Sequence, residues 1–281
     1  MPLHLPDGAK TAVAITFDFD AHSAWMGAMN LFSPSYLSRG TFGAEVAVPR
    51  LIELLDRFEV PATWFTPGHD LVTWPAEIDA ILDRGDEIGA HGAYHEHIPS
   101  LSAERERELM ALQLEQHERI VGRRPRGYRS PAWDFSPVTL ELLEESGFDY
   151  DSSLMDRDFE LYHPRPVLET HLESANVFGE PSRLVEIPVS WYLDDWPSVE
   201  YVAGISPGLG DHRVMERRWV DLFDFAHEEL DQAAYVLTMH PQTSGRGHHL
   251  MVLKRLLEKI TATEGVRFAT CSQLVDAWTE E

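Results

Sequence analysis

The chain has 281 residues, and its 47 acidic side chains outnumber its 23 lysines and arginines, which gives a formal net charge of −24 with histidine neutral. This balance argues against a nucleic-acid partner and against binding to an anionic membrane, since both require a basic surface. The single cysteine, Cys271, excludes a disulfide scaffold and a cysteine-rich zinc module.

Short apolar runs alternate with amphipathic stretches along the first half of the chain. Residues 11–17 form a uniformly apolar, β-branched run, which is typical of a strand that is covered on both faces. The remaining patterns predict strands at 62–66 and 87–90, and helices at 46–58, 75–85 and 102–121.

The second half of the chain continues this alternation, with one interruption. Strands are predicted at 127–130, 150–154, 185–189, 233–239 and 267–270, and helices at 213–230, at 250–260 and in a last segment that reaches Trp278. Residues 156–207 carry Pro, Trp and acidic residues without clear periodicity. This composition predicts an excursion of loops over one face of the fold rather than a separate domain.

The alternation of strands and helices predicts parallel pairing through right-handed crossovers. About seven or eight strands in a chain of this length favour a closed or nearly closed α/β barrel, so we predict one barrel domain over residues 1–281. The first strand is not followed by a Gly-rich phosphate-binding turn, which argues against a dinucleotide-binding fold. Because the N-terminus lacks signal-peptide features and no long apolar run occurs, we predict a cytoplasmic protein without a membrane span.

Polar side chains cluster where the predicted strands end. In barrels of this kind, reactive side chains lie at strand ends and in the loops that follow them. The rule selects four segments, which are Asp18-Phe19-Asp20, His91 to His95, Arg129 to Trp133, and His240-Pro241.

The two histidines of the second segment predict a metal site. His91 and His95 are four residues apart, which would place both imidazoles on one face of a helical turn. Together with the carboxylate of Asp20 they supply three ligands of a catalytic zinc-type site and leave a position for water. A chance surface pair is the alternative, because the chain has 14 histidines.

Asp18 and Asp20 are two residues apart and would point to the same side of an extended strand. Two like charges in a cleft cost free energy unless one binds a cation or shares a proton. We therefore assign Asp20 to the metal and Asp18 to proton abstraction from the hydrolytic water. The alternative is that one of the two merely caps a turn.

The other strand ends predict the remaining catalytic groups. His240 precedes a proline that turns the chain, so its ring suits a general acid at the mouth of the cleft. The alternative, which is the usual role of a histidine at the end of an apolar strand, is a histidine buried in the core. Arg129 is expected to orient Asp18 through a bidentate contact, with a surface arginine as the alternative. Aromatic side chains that could wall the pocket, or simply belong to the core, are Trp133, Trp191, Tyr192 and Trp196.

Four motifs in chain order carry a resemblance to a known family. They are Thr16-Phe17-Asp18-Phe19-Asp20, His91 to His95, Arg129-Ser130-Pro131-Ala132-Trp133, and Leu237-Thr238-Met239-His240. With them the chain resembles the polysaccharide deacetylase (carbohydrate esterase four) family over most of its length.

The resemblance implies a distorted barrel of seven or eight βα units, a divalent metal that is usually zinc, and hydrolysis of a non-peptide amide bond. It assigns Asp20, His91 and His95 as ligands, Asp18 as base, His240 as acid and Arg129 as the residue that holds the base. The chain departs from the usual family pattern in three ways. Phe19 separates the two aspartates, Gly92 stands in the metal motif, and a strict Asp-x-x-Trp motif is lacking. These departures make the chain similar to a leaderless branch of the family, that is, one without an export signal. That branch includes cytoplasmic peptidoglycan-deacetylase-like proteins, cyclic-imide hydrolases and allantoinases, whose members tend to be homotetramers.

We therefore predict a metal-dependent hydrolase that removes the N-acetyl group from an amino sugar or cell-wall fragment, and a homo-oligomer. Its partner would be a small molecule or an oligosaccharide, without nucleic acid or membrane. The main alternative is a hydrolase of a small cyclic imide or ureide. Two further alternatives are a non-catalytic carbohydrate-binding barrel and a metal-independent amidohydrolase.

Overall fold

The computed structural model describes residues 3–279, so residues 1, 2, 280 and 281 of the predicted domain lie outside the described residues. The strands of this part are β1 Thr11–Asp18, β2 Ala62–Thr66, β3 Glu87–Ala90, β4 Gly127–Tyr128, β5 Tyr150–Asp151, β6 Val167–Glu169, β7 Val177–Phe178, β8 Val185–Glu186, β9 Ala233–Met239 and β10 Val266–Phe268. Its α-helices are α1 Pro34–Phe42, α2 Val48–Phe58, α3 Gly68–Thr73, α4 Pro75–Asp83, α5 Ala103–Val121, α6 Thr139–Ser146, α7 Trp196–Val199, α8 His212–Glu228, α9 Pro241–Ser244, α10 Gly247–Thr261 and α11 Cys271–Thr279. Among these helices, none has both the length and the apolar character needed to cross a bilayer.

The main sheet is parallel and curls around β1. Strand β9 pairs with β1 along one side, while β10 and β2 share the other side, and the sheet continues through β3, β4 and β5 to β8. A parallel bridge between Asp194 and Thr238 connects the chain after β8 to β9. The predicted distorted barrel of alternating strands and helices is confirmed.

The side chains of β1 alternate between two hydrophobic clusters, one on each face of the strand. All eight of its side chains are buried, as its uniformly apolar run predicts. Its alternate side chains Val13, Ile15 and Phe17 join the core formed with α2, α8 and α10, whereas Ala12 and Ala14 pack with Phe65 and Tyr150 in a second cluster. Because the period of a strand is two residues, Thr16 and Asp18 continue the row of Ala12 and Ala14 and bring polar atoms to the end of the strand.

Besides the predicted strand at 185–189, which is present as β8, the segment 156–207 contains regular elements that its composition does not predict. Strands β6 and β7 pair there as an antiparallel hairpin, and β8 joins the main sheet beside β5. The hairpin strands are short and all five of their residues are exposed, so no alternation of buried and exposed residues marks them in the sequence. The segment also forms α7 and a short 3-10 helix, Trp191–Leu193, next to the site described below.

Candidate active site

A pocket of about 130 Å³ opens at the carboxyl ends of the parallel strands, where the sequence predicts the site. Its titratable lining residues are Asp18, Asp20, His91, His95, Asp194 and His240. The other lining side chains are Ala24, Ala28, Met29, Ala132, Trp133, Trp191 and Trp196. The pocket therefore combines a cluster of ionisable groups with predominantly apolar walls.

Three of these groups lie in a position to hold one cation. Nε2 of His91 is 3.3 Å from Oδ1 of Asp20, and Nε2 of His95 is 3.7 Å from Oδ2 of the same carboxylate. A ligand atom from each of the three residues lies within 4.8 Å of the others, and all three side chains are buried. Residues that are far apart in the sequence thus meet at the ends of β1 and β3.

The hydrogen bonds of the cluster fit a divalent metal. Nδ1 of His91 donates to the carbonyl oxygen of Arg129 at 2.7 Å, which leaves the lone pair of Nε2 free to bind a cation. Both carboxylate oxygens of Asp20 are buried without a hydrogen-bond donor among the described residues. Burial lowers the pKa of His95 to about 4, so its imidazole is neutral and able to act as a ligand. One carboxylate and two imidazoles form a donor set that suits zinc.

The two histidines converge through a turn and not, as the spacing suggested, through a helix. Residues 91–95 are a turn in which Gly92 has φ 76° and His95 has φ 60°. A Cβ atom at position 92 would lie 2.8 Å from Cγ of Pro131, so glycine is required there for space as well as for conformation. The carboxylate of Glu96 stabilises the turn by accepting hydrogen bonds from the backbone N–H groups of Ala93 and Tyr94.

Asp18 is held by an arginine inside the barrel. Nη1 of Arg129 donates to Oδ1 of Asp18 at 2.7 Å and to Oγ1 of Thr16 at 2.9 Å. The guanidinium group is fully buried, with its carbon 4.1 Å from the centre of the Phe65 ring. Arg129 makes one contact to the carboxylate where the sequence predicted two, because its other nitrogens bind Ser152.

His240 lies on the opposite side of the cluster, directly after β9. Its Nε2 atom is 3.9 Å from Oδ2 of Asp18 and 3.8 Å from Oδ2 of Asp20. Its Nδ1 atom is 2.8 Å from Oδ1 of Asp195 and 3.6 Å from Oδ1 of Asp194. Burial alone would lower the pKa of His240, but these two carboxyl groups raise it to about 10. The imidazole is therefore ready to donate a proton.

Asp195, like its neighbour Asp194, is a residue that the sequence interpretation did not place in the site. Its carboxylate is fully buried and accepts hydrogen bonds from the backbone N–H of His240 and from the hydroxyl groups of Thr243 and Ser244. Asp194, Asp195 and His240 also lie close enough to hold an ion, but these donors already occupy the carboxylate of Asp195. The two adjacent aspartates before Trp196 were the available signal in the sequence. The contact itself was not predictable from a local pattern, because Asp195 and His240 are 45 residues apart in the chain.

Asp194 adds a carboxyl group to the wall of the pocket. Its Oδ1 atom accepts a hydrogen bond of 2.7 Å from the backbone N–H of Trp196. Burial raises the pKa of Asp194 to about 8, and the neighbouring Asp195 adds to this effect. The side chain can therefore offer either a donor or an acceptor to a molecule in the pocket near neutral pH.

Three of the four predicted aromatic residues line the pocket. The rings of Trp133 and Trp191 are 4.3 Å apart, and Trp196 contacts the His240 ring at 5.0 Å. Trp133 adopts φ 55°, a left-handed conformation that costs free energy and is often found at functional sites. Tyr192 is 67% exposed and does not belong to the lining of this pocket.

The chain is similar to known proteins in both sequence and fold. The profile of the family described as polysaccharide deacetylase matches residues 6–150. Over 277 residues the chain is 36% identical to the peptidoglycan deacetylase of Helicobacter pylori, and the alignment covers 94% of each chain. The crystal structure of a Mycobacterium smegmatis protein assigned as a polysaccharide deacetylase superposes with a TM-score of 0.86 at 35% identity, covering 98% of this chain and 92% of the other. Puue allantoinase shares the fold, with a TM-score of 0.79 at 22% identity and coverage of 99% and 93%.

Proposed function

The chain belongs to the polysaccharide deacetylase family, and we propose that it is a metal-dependent hydrolase that removes the acetyl group from the nitrogen of an amino sugar or cell-wall fragment. The observation that carries the proposal is the convergence of Asp20, His91 and His95 beside Asp18 and His240 in one pocket. A purely sugar-binding barrel would have no need of this combination of ligands, base and acid.

We propose that Asp20, His91 and His95 hold one divalent metal, with zinc as the first choice for this donor set. When bound, such an ion supplies Lewis acidity at the amide carbonyl and makes a nearby water more acidic. The neutral imidazole of His95 and the unpaired oxygens of Asp20 support this assignment.

Asp18 is the proposed general base. Its Oδ2 atom points towards both His91 and His240, while Oδ1 is held by Arg129. The buried guanidinium balances the charge of the carboxylate and keeps it oriented, so Oδ2 can take a proton from the attacking water. The oxygen of that water then forms the new bond to the carbonyl carbon.

His240 is the proposed general acid. Its Nδ1–H donates to Asp195, which leaves the proton on Nε2 to be passed to the departing nitrogen as the C–N bond breaks. The products are then acetate and a free amine. Asp195 fixes the ring and stabilises its charged form before the transfer, as the partner of a catalytic histidine does in other hydrolases.

A second candidate function is hydrolysis of a small cyclic imide or ureide. A cavity of about 150 Å³ is known to hold one benzene molecule, so a pocket of 130 Å³ suits a single small ring. Asp194 would give such a ring a hydrogen-bonding partner beside the catalytic groups. An N-acetylated sugar would instead insert only its acetamido group and leave the sugar ring at the mouth beside the partly exposed Trp191.

The two functions are separated by incubating the zinc-loaded protein with chito-oligosaccharides, with an N-acetylated peptidoglycan fragment and with succinimide. We expect acetate release from one of the first two substrates, and no release with Asp18→Asn. Ring opening of succinimide alone would favour the second candidate. Sugar binding without turnover, equal in the wild type and Asp18→Asn, would contradict both enzymatic proposals.

A further inference from the structure

Two buried carboxyl groups that the hydrolytic scheme does not use lie near Arg129. Asp151 ends β5 and Glu186 ends β8, and the two residues are direct partners in the parallel register of these strands. Both side chains are fully buried. We refer to Asp151 and Glu186 as the carboxyl pair.

The surroundings of the carboxyl pair point to a shared proton. Oδ2 of Asp151 and Oε2 of Glu186 are buried, and neither has a donor elsewhere in residues 3–279. The two carboxyl groups belong to residues paired across β5 and β8 and interact with each other, but two ionised carboxylates offer only acceptors. One proton between them supplies the missing donor. Burial raises the pKa of Asp151 to about 6 and that of Glu186 well above its ordinary value, in agreement with one retained proton at neutral pH.

The other oxygens of the carboxyl pair hold the chain that follows β5. Oε1 of Glu186 accepts hydrogen bonds from the backbone N–H groups of Ser153 and Leu154, each at 2.8 Å. Oδ1 of Asp151 accepts one from the hydroxyl of Ser153 at 2.9 Å, and that hydroxyl oxygen accepts another from the N–H of Ser130 at 2.8 Å. These contacts fix the backbone on both sides of Ser152 and next to Arg129.

Ser152 is the link from this segment to the catalytic groups. Its carbonyl oxygen accepts a hydrogen bond from Nε of Arg129 at 3.0 Å, and its hydroxyl oxygen accepts one from Nη2 at 2.9 Å. The remaining nitrogen, Nη1, holds Asp18. A shift of Ser152 would therefore turn the guanidinium and move the carboxylate of Asp18.

We propose that Asp151 and Glu186 are positioning residues for hydrolysis, and that, with one proton between them, they hold Ser152 where it orients Arg129 against Asp18. This proposal rests on the proposed function, since it concerns the orientation of the proposed base. According to this proposal, the carboxyl pair contributes to the rate of hydrolysis and not only to the stability of the fold.

Glu106 provides a matched control within the same chain. It is also a buried carboxylate that holds a loop, because it accepts hydrogen bonds from the hydroxyl groups of Ser136 and Thr139 at the start of α6. Its contacts do not lead to Arg129. Loss of Glu106 should therefore destabilise the fold without moving Asp18.

The test compares Glu186→Ala, Glu186→Gln, Asp151→Asn and Glu106→Ala in the zinc-loaded full chain, using the amide substrate that the wild type hydrolyses. We expect Glu186→Ala to lower kcat by about tenfold or more, with KM and bound metal nearly unchanged. Glu186→Gln should keep kcat within about threefold, because its amide can donate to Asp151 and still accept from Ser153 and Leu154. Asp151→Asn should behave in the same way, and Glu106→Ala should lower Tm but not kcat. Equal kcat values for Glu186→Ala and Glu106→Ala would overturn the proposal.

Two measurements do not depend on turnover. The infrared difference spectrum between the wild type and each amide variant at neutral pH should contain the C=O stretch of one buried protonated carboxyl group, because a contribution from Asp194 is common to all three proteins and cancels. A difference spectrum without this band would overturn the shared proton. Crystal structures of Glu186→Ala and Glu106→Ala should show a longer distance from Arg129 Nη1 to Asp18 Oδ1 only in the former. Failure of the wild type to hydrolyse any amide would contradict the proposed function, while an unchanged distance in Glu186→Ala would contradict the positioning role.

Discussion

Nδ1 of His240 lies 2.8 Å from Oδ1 of Asp195, and both side chains are buried beside the pocket. Because Nδ1–H donates to this carboxylate, the proton available for transfer is on Nε2, on the side of the ring that faces Asp18 and Asp20. Asp195 is itself held by hydroxyl and backbone donors, so it fixes the ring in one orientation. The contact thus decides which nitrogen can serve as the acid.

Replacing Asp195 with Asn should lower kcat by about a hundredfold, because an amide can donate to Nδ1 and favour the wrong tautomer of His240. The measurement is steady-state kinetics on the amide substrate, with metal content checked in the same samples. Asp194→Asn is the control, since its carboxylate lies 3.6 Å from Nδ1, and it should lower kcat by less than about tenfold. Equal losses in both variants would contradict a special role for Asp195.

Removing the carboxylate of Asp20 should abolish metal binding at the site. We expect Asp20→Ala to reduce bound zinc from about one per chain to near zero and to reduce turnover to background, because two imidazoles alone bind the ion weakly. Elemental analysis and activity after reconstitution are the measurements. His97→Ala is the control, since His97 is exposed and close in sequence to the two predicted ligands. Full activity in Asp20→Ala would contradict the metal proposal.

Truncating Trp191 should weaken substrate binding by opening the pocket wall. Its ring packs against Trp133 in a tilted arrangement, and the residue is 41% exposed, so Trp191→Ala removes one wall without creating a void in the core. We expect kcat/KM to fall by about three- to tenfold, mainly through KM. Tyr192→Ala should leave both constants unchanged, because Tyr192 lies outside the pocket lining. A larger effect of Tyr192→Ala would place the substrate on the outer surface instead.

The barrel and the residues at its strand ends were predictable because they depend on local patterns. β1 and β9 are continuous apolar runs that are buried along their whole length, and their ends coincide with Asp18 and His240. In a parallel barrel all strand ends face the same side, so residues after different strands converge. This argument is enough to bring Asp20, His91 and His95 together without any knowledge of the loops.

Features that depend on long-range contacts were not predictable from such patterns. The role of Asp195 depends on a loop that packs against His240, and the carboxyl pair is buried only because β5 and β8 are neighbours. The spacing of four between His91 and His95 predicts a helical turn, but a turn with left-handed residues brings the two side chains together equally well, and the sequence does not distinguish the two. The predicted homo-oligomer remains a prediction, since it rests on the resemblance alone.

The stability of the chain should depend on pH through Asp151. Burial raises the pKa of this carboxyl to about 6 in the folded protein, whereas the unfolded value is about 3.9. The folded state therefore binds the proton more tightly, so this group contributes most to stability below about pH 4, and the contribution is lost as pH rises through about 6. The difference corresponds to a contribution of about 3 kcal/mol to the free energy of unfolding. Urea unfolding of the wild type and Asp151→Asn between pH 4 and 7 measures it, and the variant should show a flatter profile. Parallel profiles in the two proteins would mean that the pKa of Asp151 is close to its unfolded value.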